Sequence, residues 1–157
     1  YLYINRNNEI DHIKQNNIIL TDSKIYKEKL MVMLRKNSFF NEIKYELPGN
    51  FVFLSQGMTY YEEINSNSKM GTLIFIHGFS VPSYIWSPTY ETAAKKGYHV
   101  IRMDLYGRGY SANPDVPYTD SLFARQVLEL LKYLNVKHAN FLGLSNGGRI
   151  ILTFKRY

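Results

Sequence analysis

At 157 residues, with 45% hydrophobic and 20% charged residues, the chain has the composition of an ordinary globular domain able to bury its own core. The net charge of +6 comes from Lys and Arg scattered without a stripe, which argues for a basic surface and against nucleic acid as a partner. Cysteine is absent, which excludes disulfides, thiol chemistry and a Cys-based zinc site; it fits a reducing compartment and favours the cytoplasm.

Residues 1–50 read as an N-terminal extension with one helix. Positions 1–21 are polar and rich in Asn, so little regular structure is expected there. Thr21, Asp22 or Ser23 caps a helix running to about Lys36, with Ile25, Leu30, Met33 and Leu34 on a partial apolar face. Lys24, Lys27, Lys29, Arg35 and Lys36 would let that helix meet a membrane surface, but packing on the domain is the favoured reading. Residues 37–50 form a connector closing in Leu47-Pro48-Gly49-Asn50. No run approaches the ~18 continuous apolar residues of a spanning helix. The chain begins at Tyr1 without a signal-peptide pattern, and Tyr1 is not expected to be the biological start.

From Phe51 the pattern becomes strand-like. Phe51–Leu54 and Met58–Ile64 flank Ser55-Gln56-Gly57 as a hairpin. Thr72–Ile76 is a continuous apolar run, as expected of a central strand covered on both faces. It ends in His77-Gly78-Phe79. A helix over the 84–96 region starts near Ser87 because of Pro88, and Gly97 stops it. His99–Leu105 is the next strand, followed by the turn Gly107-Arg108-Gly109-Tyr110. Thr119 or Asp120 caps a helix with Leu122, Phe123, Val127, Leu130, Leu131 and Leu134 along one face. Ala139–Leu144 is the third central strand, and a helix-like segment from Arg149 to Phe154 follows. Alternating strands and helices predict an α/β fold: a hairpin, then a mostly parallel sheet with helices on both faces. His77, Asp104 and Ser145 all fall at the carboxyl ends of strands, where such sheets bind ligands.

The third strand runs directly into Gly143-Leu144-Ser145-Asn146-Gly147-Gly148. A strand turning sharply into a helix forces the turn residue into strained angles. Gly143 and Gly147 remove the Cβ atoms that would clash there, and Ser145 is left exposed before a helix N-terminus that favours negative charge. No His/Asp/Glu set has metal-ligand spacing, so neither a metal nor a cofactor is expected. His12, His99 and His138 carry no motif and read as surface or loop residues.

Three motifs, each ending an apolar strand, make residues 50–155 resemble the α/β-hydrolase superfamily, in the serine esterase and lipase-like group with the short His-Gly-Phe form. They are His77-Gly78-Phe79, Asp104-Leu105-Tyr106-Gly107-Arg108-Gly109-Tyr110-Ser111, and the Gly143–Gly148 stretch. The resemblance implies that Ser145 sits on a nucleophile elbow and forms an acyl-enzyme. It implies that the backbone N–H groups of Phe79 and Asn146 form the oxyanion hole. His77 and Gly78 would shape the oxyanion loop, and Asp104 would organise the turn of Gly107 and Gly109. Arg108 is expected to bond within its turn or to be solvated, ahead of clamping an anionic substrate; Trp86 is expected in the core. The implied substrate is a small ester or an acylglycerol-like lipid. Ser at 145 disfavours the Asp-based covalent routes of epoxide hydrolases and dehalogenases.

In this superfamily the triad acid and base follow the serine, yet residues 146–157 contain no Asp, Glu or His. The expectation is therefore an N-terminal part of a hydrolase, with residues 51–157 lacking the later strands and lid. A complete domain of this kind runs to roughly 200–250 residues. The alternative is that the chain alone is catalytically incomplete, or is a non-catalytic binding protein.

Overall fold

The computed structural model describes Lys24, Ile25, Lys27, Glu28 and residues 47–154. Those four early residues are helical, and Lys27 Nζ donates to the Gly49 carbonyl at 2.6 Å. The remainder of the helix expected over 21–36, the polar stretch 1–21 and most of the 37–50 connector lie outside the described residues.

The hairpin is β1 (Asn50–Leu54) and β2 (Gly57–Ile64), paired so that Val52 faces Thr59 and Leu54 faces Gly57. The apolar run Thr72–Ile76 is β3. After it come a 3-10 turn at Ser83–Trp86 and α1 (Ser87–Lys95), with Pro88 in its first turn as the sequence required. Next are β4 (His99–Met103), α2 (Asp120–Tyr133), β5 (Asn140–Gly143) and α3 (Asn146–Thr153). The sheet order is β1-β2-β4-β3-β5. β2 meets β4 antiparallel, whereas β3 runs parallel to both β4 and β5. The mostly parallel sheet read from alternation is therefore present. Most element ends shift by a single residue; the larger differences are that β4 stops at Met103 rather than Leu105 and that α3 begins at Asn146 rather than Arg149.

Why the β3 run is uninterrupted follows from what covers it. Ile74 and Ile76 point into the larger core with Ile101, Met103, Phe123, Val127, Leu130 and Ile150. Phe75 points the other way, against Tyr90, Ala93 and Val100. α1 thus covers one face and α2 and α3 the other, so both residue parities of the strand must be apolar. Complete burial of Val127 and near-complete burial of Leu130 and Phe123 stabilise the α2 face by about 1.5–3 kcal/mol each. Thr119 caps α2, its side chain accepting from the Leu122 N–H at 3.1 Å. Leu47, ahead of the hairpin, is buried in the same core. Trp86 packs on Phe75 with ring centroids 5.3 Å apart.

One polar expectation changes. His99 is not a surface residue: it is 5% exposed, because neighbouring strands supply partners for both ring nitrogens. Nε2 lies 2.7 Å from Glu63 Oε1 and Nδ1 lies 3.0 Å from Thr72 Oγ1. His138 is exposed, and His12 lies outside the described residues.

Among the described residues β5 pairs only with β3, and Leu144 and Leu152 beyond it are exposed. A cleft of about 560 Å³ opens at the start of β5, lined by Leu131, Val136, Ala139 and Phe141 among others. It lies at the end of the strand away from Ser145 and shares no residue with the predicted site. No helix among the described residues is long and apolar enough to cross a membrane.

Candidate functional site

Ser145 sits between β5 and α3 with φ 53° and ψ −115°, a region that side chains other than glycine rarely adopt. Two glycines permit this turn by close approach. A Cβ on Gly143 would lie 2.5 Å from the Gly147 carbonyl carbon, and a Cβ on Gly147 would collide with the Ile76 carbonyl oxygen. α3 is thereby pressed against the end of β3, and Leu144 N–H donates to the Ile76 carbonyl at 3.0 Å. The Ser145 residue is exposed, and its side chain does not cap the helix it precedes.

The same packing brings the loop after β3 to the serine. A Cβ on Gly78 would lie 3.3 Å from Ser145 Cβ and 3.8 Å from its Oγ, so this backbone passes directly beside the serine side chain. Among the described residues, neither the Phe79 N–H nor the Asn146 N–H is taken up by a protein acceptor. The Asn146 N–H is one of the unpaired donors at the start of a helix.

His77 is fully buried beneath this loop. Its Nε2 accepts from the Leu105 N–H at 2.9 Å, so the ring proton is on Nδ1, which donates to the Gly78 carbonyl at 2.7 Å. Both nitrogens are engaged by backbone, and neither bonds the serine. Burial lowers the imidazole pKa from its ordinary value, while the Gly78 hydrogen bond and the charge of Asp104 act in the opposite sense without overcoming it; Arg108 adds a further lowering.

Below roughly pH 6.5 the unfolded imidazole takes up a proton that the folded one resists, so stability is fully present above that pH and falls as the pH drops. Urea titrations between pH 7.5 and 5 will show a fall that His77→Gln flattens. An identical slope in the variant would contradict the assignment of His77 as a buried neutral ring.

Asp104 is 2% exposed and uses both carboxylate oxygens on backbone. Oδ1 accepts from the Ser83 N–H at 2.9 Å and Oδ2 from the Tyr110 N–H at 2.8 Å. Gly107 and Gly109 have φ of 75° and 51°, and any Cβ on Gly109 would overlap the Asp104 carboxylate. The side chain thus ties the loop after β3 to the turn after β4, and lies away from the Ser145 hydroxyl's hydrogen-bonding reach. Arg108, between the two glycines, donates from Nε to the Phe79 carbonyl at 2.5 Å and from Nη1 to the Gly107 carbonyl at 3.0 Å. Its guanidinium also lies over the Phe79 ring, 4.4 Å from the centroid.

Two supporting residues were not singled out from the sequence. Gln126, 1% exposed, accepts from the Tyr106 N–H at 2.9 Å and donates to Thr59 Oγ1 and the Asp104 carbonyl. Ser111 Oγ accepts from the Tyr60 N–H at 3.0 Å and donates to the Asp104 carbonyl at 2.5 Å. The available signal for Gln126 was a polar residue inside the apolar stripe of α2. Among the described residues no group of three or more His, Asp or Glu could hold a metal ion, and no imidazole or carboxylate bonds the Ser145 hydroxyl.

Known proteins carry the same layout. 3-Oxoadipate enol-lactonase 1 of Acinetobacter baylyi is 32% identical over 95 residues, covering 59% of this chain and 34% of the lactonase. A hydrolase from Pseudomonas aeruginosa superposes with a TM-score of 0.60 at 30% identity, over 65% of this chain and 38% of its own. An esterase from Exiguobacterium antarcticum does so with a TM-score of 0.61 at 25% identity, over 66% and 38%. The chain spans about a quarter to two fifths of its relatives' length, 24% of one matched protein and 40% of another. The family described as alpha/beta hydrolase fold matches residues 71–154, more than half the chain and all three strand-end motifs. On that match, and on the sheet order and helix placement described above, this chain belongs to the alpha/beta-hydrolase family.

Proposed function

We propose that the whole protein is a serine hydrolase of carboxylic esters, with Ser145 as nucleophile. The observation supporting this reading is at the strained turn: an exposed Ser145 lies beside Gly78, and neither the N–H of Phe79, next after Gly78, nor that of Asn146, next after Ser145, is taken up by an acceptor among the described residues. In the proposed reaction Ser145 Oγ bonds to the ester carbonyl carbon as its proton passes to a base. The carbonyl oxygen becomes an oxyanion held by those two N–H groups; on collapse the bond to the leaving oxygen breaks, that oxygen takes the proton back from the base and departs as the alcohol, and water then hydrolyses the acyl-serine to the free acid and serine. The motif residues His77, Gly78, Asp104, Gly107, Gly109, Gly143 and Gly147 build the cradle and take no part in proton transfer. His77 is unsuited to be the base because both its nitrogens serve backbone groups.

The esterase and enol-lactonase relatives support an ester or lactone carbonyl as the reacting group; a small ester or an acylglycerol-like lipid is the proposed substrate. No cofactor or nucleic acid enters this proposal.

A second reading has its own observation. Residues 146–157 hold no Asp, Glu or His, and a serine without a base is a weak nucleophile. Residues 1–157 alone are therefore proposed to turn over ester only marginally, as a catalytically incomplete piece or a binding protein.

The test is a stopped-flow assay of the full-length protein with p-nitrophenyl acetate and butyrate. The expected result is a burst of about one p-nitrophenol per protein followed by slower turnover, the signature of an accumulating acyl-enzyme. Absence of hydrolysis with every short ester and lactone tried would count against the ester reading.

A further inference from the structure

The loop after β3 is fastened at three points, and only one of them lies at residue 79. His77 is held through the Leu105 N–H, and Ser83 through the Asp104 carboxylate. Between them Phe79 is 68% exposed, and among the described residues its carbonyl is engaged by Arg108 alone. We propose that Arg108 is a positioning residue: by holding the Phe79 carbonyl and ring it limits rotation about the Phe79 Cα, and so steadies the N–H of the preceding peptide for the developing oxyanion. This rests on the reading of Ser145 as nucleophile.

The turn that carries Arg108 is itself rigid. Arg108 N–H donates to the Leu105 carbonyl, Ser111 N–H donates to the Arg108 carbonyl, and Gly107 N–H donates to the Ala112 carbonyl, at 3.0, 3.2 and 2.9 Å. From this base one guanidinium reaches two carbonyls, those of Phe79 and Gly107, and covers the Phe79 ring. Holding a residue by its carbonyl and its ring together restricts both backbone rotation and χ1 around it. The N–H itself belongs to the peptide between Gly78 and Phe79, whose Gly78 carbonyl is held by His77 Nδ1 at 2.7 Å, so Phe79 is restrained on both sides of its Cα. A planar fork with several fixed donors is needed to satisfy two carbonyls while stacking; an ammonium on a flexible stem cannot do all three.

The test compares wild type, Arg108→Met, Arg108→Lys and Ser145→Ala in the full-length protein, with p-nitrophenyl butyrate as probe and melting temperature measured alongside. A misaimed donor acts on the transition state, not on ground-state binding. Arg108→Met is expected to lower kcat about 10–100-fold, somewhat less than outright loss of an oxyanion donor, with KM within about 3-fold of wild type. Arg108→Lys should recover little of the loss, and it serves as the informative variant if the Met protein does not fold. Unchanged kcat in Arg108→Met, full recovery in Arg108→Lys, or a raised KM at constant kcat would each overturn the proposal. If wild type shows no Ser145-dependent turnover, the nucleophile reading fails and this proposal with it. Ser145-dependent turnover that is insensitive to Arg108 removes this proposal alone.

Discussion

Ser145→Ala in the full-length protein is expected to lower kcat for a p-nitrophenyl ester by about 10⁴–10⁶, leaving a melting temperature within a few degrees of wild type. The size follows from what is removed. Every later step of the proposed reaction passes through the covalent acyl-serine, and alanine leaves only the two backbone N–H groups and substrate binding to act on an attacking water. The fold should tolerate the change because the hydroxyl is exposed and caps nothing. The positive φ of residue 145 is costly for alanine as for serine. Steady-state kinetics with a thermal melt checks both halves; full turnover in the variant would remove Ser145 from the mechanism.

A second large effect is expected at Gly147, and its neighbour supplies the control. Gly147→Ala places a methyl group against the Ile76 and His77 carbonyl oxygens, which are backbone atoms of the central strand end and cannot swing aside. α3 must then lift from β3, at a cost of about 3 kcal/mol or more, and the turn carrying Ser145 moves away from Gly78. Stability and esterase activity should fall together. Gly148→Ala, one residue on, meets nothing nearer than 3.9 Å and should stabilise α3 by about 0.5–1 kcal/mol through helix propensity. Urea unfolding of the pair checks this. Equal stability of the two variants would mean that α3 does not press on β3 as described.

The parts of the fold that were legible in sequence are those fixed by burial on both faces. β3 reads as an unbroken run of four apolar residues, Leu73–Ile76, after Thr72, because α1 and α2 cover opposite parities, and its end is marked by the abrupt change to His77-Gly78. Gly143 and Gly147 were legible for a related reason, since each stands where another backbone passes too close for a Cβ. The start of α3 was less legible: Asn146, Gly147 and Gly148 are poor helix formers, and contact with β3 holds them helical in spite of that. His99 was misread because its partners, Glu63 and Thr72, come from other strands and are distant in sequence. The same holds for Gln126 and for the Arg108–Phe79 contact, which join segments 20 or more residues apart. Polar contacts of this kind carry no periodicity; only the topology brings them together.

If Ser145 is the reacting nucleophile of an ester hydrolase, a mechanism-based reagent will capture it covalently. The full-length protein would be treated with a fluorophosphonate, digested, and the modified peptide identified by mass spectrometry. One phosphonyl adduct per protein is expected, on Ser145 in the peptide spanning Gly143 to Gly148, with loss of labelling on prior denaturation. An adduct on another residue, or none under conditions where the protein hydrolyses p-nitrophenyl esters, would contradict this role of Ser145.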